Sequence, residues 1–194
     1  MKVAIVKYNA GNTASVANAL TRVGVDTVIT DDPETLTSAD KVIFPGVGEA
    51  STAMAYLRTR KLDEVICSLT QPVLGVCLGM HLMCSSSEEN ETECLGLLPD
   101  KVRLFSGDGI KVPHMGWNQI SDLRGPLFAG VAEGSFVYFV HSYFVEVGEH
   151  TTAACKYGER FSAALSYKNF HAVQFHTEKS GEVGERILEN FLNI

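Results

Sequence analysis

A chain of 194 residues, 45% apolar and 20% charged, has the makeup of a globular α/β protein with a well-buried core, and residues 1–194 read as one domain. Its formal net charge of −7 argues against nucleic acid as the main partner, since phosphate binding needs a basic face. No apolar run reaches the roughly 20 residues that cross a bilayer, which argues against a membrane.

The predicted elements alternate through the first half. Residues 2–8 form a Val/Ile-rich first strand, too short and too β-branched for the apolar core of a signal peptide. Residues 12–23 carry Val16, Ala19, Leu20 and Val23 at helical spacing, and Gly24 stops that helix. Strands are expected at 26–30, 41–44 and 72–77, with helices at 49–58 and 61–69 between the last two. Strands that are apolar on both faces, taken in turn with helices, imply a parallel sheet covered on both sides. The second half changes rhythm. Short strands are expected at 102–105, 136–140, 152–156, 163–167 and 172–176, with hairpin turns at Gly158-Glu159 and Lys168-Asn169. Residues 182–192 close the chain as an amphipathic helix with Val183, Ile187, Leu188 and Phe191 on one face. The expected architecture is a mostly parallel α/β sheet with an antiparallel extension.

Five cysteines, at 67, 77, 84, 94 and 155, lack CxxC spacing. They fit free thiols in a reducing, cytoplasmic setting better than a disulfide framework or a zinc site, so no metal is expected. Four of them read as small buried apolar residues. Cys77 differs, because it lies between Gly75 and Gly79 at the end of a strand and the start of a helix. In open parallel sheets, ligands sit beyond the carboxyl ends of the strands. GxCxG is the cysteine form of a nucleophile elbow, in which glycines let strand and helix approach closely. Free N–H groups and partial positive charge at the helix start would lower the thiol pKa and could hold an oxyanion.

A nucleophile needs a base, and the base needs an orienter. His176 and Glu178 follow the predicted strand at 172–176. Two residues apart on an extended chain, they point to the same side, so the carboxylate can reach the imidazole. A second oxyanion donor could come from the glycine loop Pro45-Gly46-Val47-Gly48 after the third strand. This loop lacks the full GxGxxG spacing of a dinucleotide site.

Together, Pro45-Gly46-Val47-Gly48, Gly75-Val76-Cys77-Leu78-Gly79-Met80 and Phe175-His176-Thr177-Glu178 resemble the class I, or triad, glutamine amidotransferases over nearly the whole chain. Three further segments, Lys111-Val112-Pro113-His114-Met115-Gly116-Trp117-Asn118, Tyr138-Phe139-Val140-His141-Ser142-Tyr143 and Gln174 to Gly181, are similar to the glutaminase subunits of imidazole glycerol phosphate synthases. The resemblance implies a flavodoxin-like three-layer sandwich and no cofactor. It implies that Cys77 attacks the side-chain amide of L-glutamine, with His176 and Glu178 completing the triad. The oxyanion hole would be formed by Val47, Gly48 and Leu78. Gly46, Gly48, His81, Glu89, Ser142 and Tyr143 would surround the substrate. It further implies a heterodimer with a (β/α)8-barrel cyclase, which receives the ammonia and makes imidazole glycerol phosphate and an aminoimidazole carboxamide ribotide. Trp117 and Lys179 fall at positions the family uses at that interface.

Two residues depart from the family pattern: His81 stands where Gln is usual, and Thr177 where Pro is usual. The expectation is altered glutamine affinity or pH dependence rather than lost chemistry. The alternatives left open are another triad amidotransferase, serving anthranilate or pyridoxal phosphate synthesis, and a scaffold subunit impaired by these two changes.

Overall fold

A computed structural model of the chain describes residues 1–107 and 109–194. The first half builds strands and helices in turn: β1 (Val3–Val6), α1 (Thr13–Arg22), β2 (Thr27–Thr30), α2 (Pro33–Thr37), β3 (Lys41–Gly46), α3 (Ala50–Thr59), α4 (Leu62–Ser68), β4 (Val73–Cys77) and α5 (Leu78–Met83). The second half is mostly strand: β5 (Ser86–Ser87), β6 (Thr92–Glu93), β7 (Lys101–Leu104), β8 (His114–Ser121), β9 (Phe136–His141), β10 (Tyr143–Val145), β11 (Thr151–Tyr157), β12 (Glu159–Tyr167) and β13 (Phe170–Val173). Helix α6 (Gly181–Leu192) ends it.

Nine strands join one sheet in the order β2-β1-β3-β4-β13-β12-β11-β8-β9. The pairs from β2 to β13 are parallel, and those from β13 to β9 antiparallel. The parallel part has the order of a flavodoxin-like sheet. A smaller sheet runs β10-β7-β5-β6.

Pleating explains the three layers. Successive side chains of a strand point to opposite faces, so Val3 and Ile5 enter one core while Ala4 and Val6 enter the other. The first core takes Val16, Ala19 and Leu20 of α1 and Ile187, Leu188 and Phe191 of α6. The second takes Leu36, Met54, Leu57, Leu62, Ile66 and Met80 from α2 to α5.

Strands β5, β6 and β10 lie outside the expected elements, and α2, β8 and the final strand also differ from the sequence reading. Helix α2 is present because Asp32 caps it, accepting from the Thr35 N–H at 2.7 Å, with a proline in its first turn. Strand β8 runs for 8 residues through a polar, glycine-containing segment. The final strand ends at Val173 rather than at residue 176. Gln174 N–H still donates to Ala163 O of β12, but His176 N–H donates to Tyr138 O of β9, so the chain peels away from β4 there.

Candidate active site

Cys77 is the last residue of β4 and immediately precedes α5. Its φ of +53° and ψ of −108° lie where a side chain bearing Cβ is strained, a cost that persists only when the surroundings impose the turn. The flanking glycines show how they impose it. A Cβ on Gly79 would lie 1.8 Å from Phe44 O, and one on Gly75 2.4 Å from the Met83 sulfur. Strand and helix therefore meet at backbone distance, and the sulfur is lifted to the sheet's carboxyl edge.

His176 comes to the same edge by a different route from the one expected. Its own backbone is extended, but Thr177–Lys179 turn as a 3-10 helix, so the His–Glu pairing arises at a turn and not along a strand. Nδ1 of His176 lies 2.8 Å from Glu178 Oε1, and the two side chains are 2% and 1% exposed. A carboxylate only accepts, so Nδ1 carries the proton and donates. Asn12 Nδ2 donates to the same Oε1 at 3.2 Å. The other ring nitrogen, Nε2, is buried without a hydrogen-bond partner among the described residues. Burial alone would lower the His176 pKa; the Cys77 and Glu178 groups beside it outweigh burial and raise it to about 10. For Glu178, burial would raise the carboxyl, but the His176 contact prevails and lowers it.

A cavity of about 290 Å³ opens over Cys77 and His176, a size suited to a molecule no larger than an amino acid. Its lining includes Val47, Gly48, Cys77, Leu78, His81 and Glu89, together with Ser142, Tyr143 and His176. Gly46 lies just beneath, packed against Leu78 and Tyr8. Leu78 opens α5, so its N–H has no acceptor within the helix. The Val47 amide departs from the oxyanion expectation: it donates to Ala10 O at 3.2 Å and in this conformation is committed there. Glu89 accepts from Ala50 N–H at 2.7 Å, which caps α3, while burial raises its carboxyl pKa.

Several contributors carried no clear sequence signal. Tyr8, buried beside Cys77, donates from its hydroxyl to Pro45 O at 2.6 Å and pins the glycine loop. Gln174, wholly buried, has its Oε1 2.7 Å from His81 Nε2 and its Nε2 4.0 Å from Cys77 Sγ. His141 Nδ1 lies 2.7 Å from Tyr143 O, so that nitrogen donates and its Nε2 accepts from His114 Nδ1 at 2.9 Å. Burial lowers both of these imidazoles, His114 to about 4. The neutral pair holds the Ser142-Tyr143 backbone from behind. The glycine spacing, the cysteine and the His–x–Glu pattern are the parts of this site that the sequence displays.

Trp117 is 55% exposed, not a buried aromatic, and packs edge-on to Tyr138 with ring centroids 5.9 Å apart. Lys179 Nζ stands 5.8 Å over the same Tyr138 ring. Met115 and Phe136 are exposed on the same side of the β8–β9 hairpin, because β8 alternates its side chains and buries His114 and Ile120 instead.

Comparison with known proteins gives consistent matches. Residues 4–194 match the family described as "Glutamine amidotransferase class-I". A protein of Bacteroides fragilis named "Imidazole glycerol phosphate synthase subunit HisH" is 57% identical over 196 residues, covering 100% of each chain. A protein of the same name from Shewanella loihica is 48% identical over 200 residues, covering 98% of this chain and 89% of its own. Among solved structures, one described as a glutamine amidotransferase superposes with a TM-score of 0.77 at 18% identity, covering 98% of this chain and 97% of its own. The structure of PurLQS from Thermotoga maritima gives 0.72 at 16% identity, covering 99% and 97%. These two share the fold.

Proposed function

The chain belongs to the class-I glutamine amidotransferases, and we propose that it is the glutaminase subunit of an imidazole glycerol phosphate synthase. In that role it hydrolyses L-glutamine to glutamate and ammonia, and the ammonia passes to a (β/α)8-barrel cyclase subunit in a cytoplasmic heterodimer. The observation that carries this reading is Cys77 and His176 in the wall of one cavity, with Glu178 on the imidazole's Nδ1, in a chain whose full-length relatives bear that subunit's name.

The chemistry follows from the proton positions. His176 holds a proton that the Cys77 and Glu178 groups favour, so the sulfur attacks the glutamine side-chain carbon as an anion. The carbonyl oxygen takes up negative charge and turns toward Leu78 N–H and the Val47–Gly48 loop. His176 passes its proton to the departing nitrogen, ammonia leaves, and a glutamyl thioester remains on Cys77. The now neutral imidazole takes a proton from water, which attacks the thioester and frees glutamate. Glu178 keeps the ring in one tautomer throughout. Gly46, Glu89, Ser142 and Tyr143 enclose the substrate.

The Val47 N–H bond to Ala10 O supports a resting state. That amide contributes to the oxyanion site only after the loop turns, so the free subunit idles and cyclase with its ribotide substrate raises turnover. The exposed side of the β8–β9 hairpin, with Trp117 and with Lys179 beside it, is the surface for the barrel. The deciding assay is glutamate production with and without the barrel subunit, in the parent and in Cys77→Ser. A silent, folded Cys77→Ser supports the reading; full activity in that variant removes it. High activity from the parent alone removes the gating but not the chemistry.

A further inference from the structure

We propose that His81 is a positioning residue for the nucleophile: through the side chain of Gln174, it turns an N–H donor toward the Cys77 sulfur. The inference rests on the reading of Cys77 as the attacking group, and it goes further by giving a role to a residue that departs from the family pattern.

The geometry is a two-link relay. His81 lies one turn after Cys77 along α5, and its Nε2 is 2.7 Å from Gln174 Oε1. The Gln174 amide spans the gap, with its Nε2 4.0 Å from Cys77 Sγ. That distance is at the outer reach of an N–H···S contact, and it shortens as the sulfur gains charge. A buried amide must satisfy both ends or lose stability. Its accepting and donating ends point opposite ways, so the group that fixes one end decides what the other presents.

His81 is that group. With hydrogen on Nε2, it binds the amide oxygen and leaves the NH2 facing the sulfur. With hydrogen on Nδ1, it would accept from the NH2 instead, and the carbonyl oxygen would face the sulfur and repel a thiolate. The ring is buried and its pKa falls to about 4, so near neutral pH it is uncharged and its tautomer is set by these neighbours. The other titratable groups here are His176, which meets the sulfur from the segment after β13, His141, held neutral by burial, and the Tyr8 phenol. The sulfur thus lies beside His176, the Gln174 amide and, at 3.8 Å, Val140 O, and the end that the amide presents is steered from α5.

The experiment measures alkylation of Cys77 by iodoacetamide, a probe with no glutamine-like part, over a pH series, alongside ammonia release with the partner present. Three variants are compared. His81→Phe fills the space without a donor, Gln174→Glu replaces the NH2 with an acceptor, and His81→Gln keeps an N–H that can bind the amide oxygen. His81→Phe and Gln174→Glu are expected to alkylate about two- to tenfold more slowly at neutral pH, the worth of one hydrogen bond, with their profiles displaced to higher pH. His81→Gln stays near the parent. Gln174→Glu is nearly isosteric, so it reads the relay even if His81→Phe fails to fold. Parental rates and profiles in Gln174→Glu, or in a folded His81→Phe, overturn the proposal. So does a loss seen only with a glutamine-shaped electrophile, which would place His81 against substrate. In both cases Cys77→Ser remains silent. A Cys77→Ser variant that still releases ammonia overturns the functional reading itself.

Discussion

Gly79→Ala tests whether the close meeting of strand and helix sets the position of the sulfur. A Cβ at this residue would lie 1.8 Å from Phe44 O and 2.9 Å from Phe44 C, where ordinary contact begins at 3.4 Å. One partner must therefore retreat by about 1.5 Å to restore van der Waals separation. The obstacle is the backbone of β3, which is paired on both sides, by β1 and β4, so the burden falls on α5. Overpacking against a fixed backbone costs more than the usual 1–3 kcal/mol, and about 3–5 kcal/mol is expected. For a chain of this size, at about 2–4 °C per kcal/mol, the melting temperature should fall by about 10 °C or more. Helix α5 begins right after Cys77, so its retreat carries the nucleophile along. A misplacement near 1 Å should lower turnover by about a hundredfold in whatever fraction remains folded. Gly148→Ala is the control. Among the described residues a Cβ there meets only Asp100 Oδ1, at 3.6 Å, and the substitution should be neutral or stabilise by up to about 1 kcal/mol. Thermal unfolding and glutaminase activity with the partner present read both effects. If Gly79→Ala melts with the parent and turns over normally, the turn does not hold the sulfur as described.

Glu178→Gln removes the charge behind His176 Nδ1 and should lower kcat by about 10²–10⁴ with little change in KM; a loss under tenfold in steady-state assays would leave Glu178 a bystander. In acid, the unfolded chain protonates His81 near 6.5 while the native site resists until about 4. The unfolded state binds more protons in that window, so the stability from neutral burial is complete above about 6.5 and lost as pH falls toward about 4. His81→Gln should flatten the urea midpoint over that range, and an unchanged slope would exonerate His81. Trp117→Ser should leave the melting of the isolated chain within about 0.5 kcal/mol, because the ring is exposed, yet weaken binding of the barrel subunit by calorimetry. A large loss of stability with intact binding would make Trp117 a structural residue.

The parts of the fold written in apolar periodicity were legible. Val3 to Val6 and Val73 to Cys77 are buried throughout, and runs so short and so uniformly apolar suit a strand covered on both faces. Strand β8 escaped the sequence reading because its pattern is inverted: His114 faces the core while Met115 and Trp117 face outward. A strand that places imidazole inside and indole outside carries no readable alternation. Helix α2 had a signal, Asp32 followed by Pro33, but with only 5 residues it shows no periodicity. The chemistry was legible where geometry forces residue type, as at Cys77 between its glycines. Tyr8, Asn12 and Gln174 were not, because each acts through long-range hydrogen bonds that only the tertiary fold brings about.

Strands β4 and β13 lie side by side, Val73 opposite Phe170 and Val76 opposite Val173, although 97 residues separate Cys77 from Gln174. A chain emerging from the ribosome therefore completes its cysteine elbow long before the strand that brings the imidazole has been made. Contacts between such distant segments form late, after the intervening loop entropy has been overcome. Until then the thiol lacks its activating base, and a chain interrupted before β13 carries no armed nucleophile.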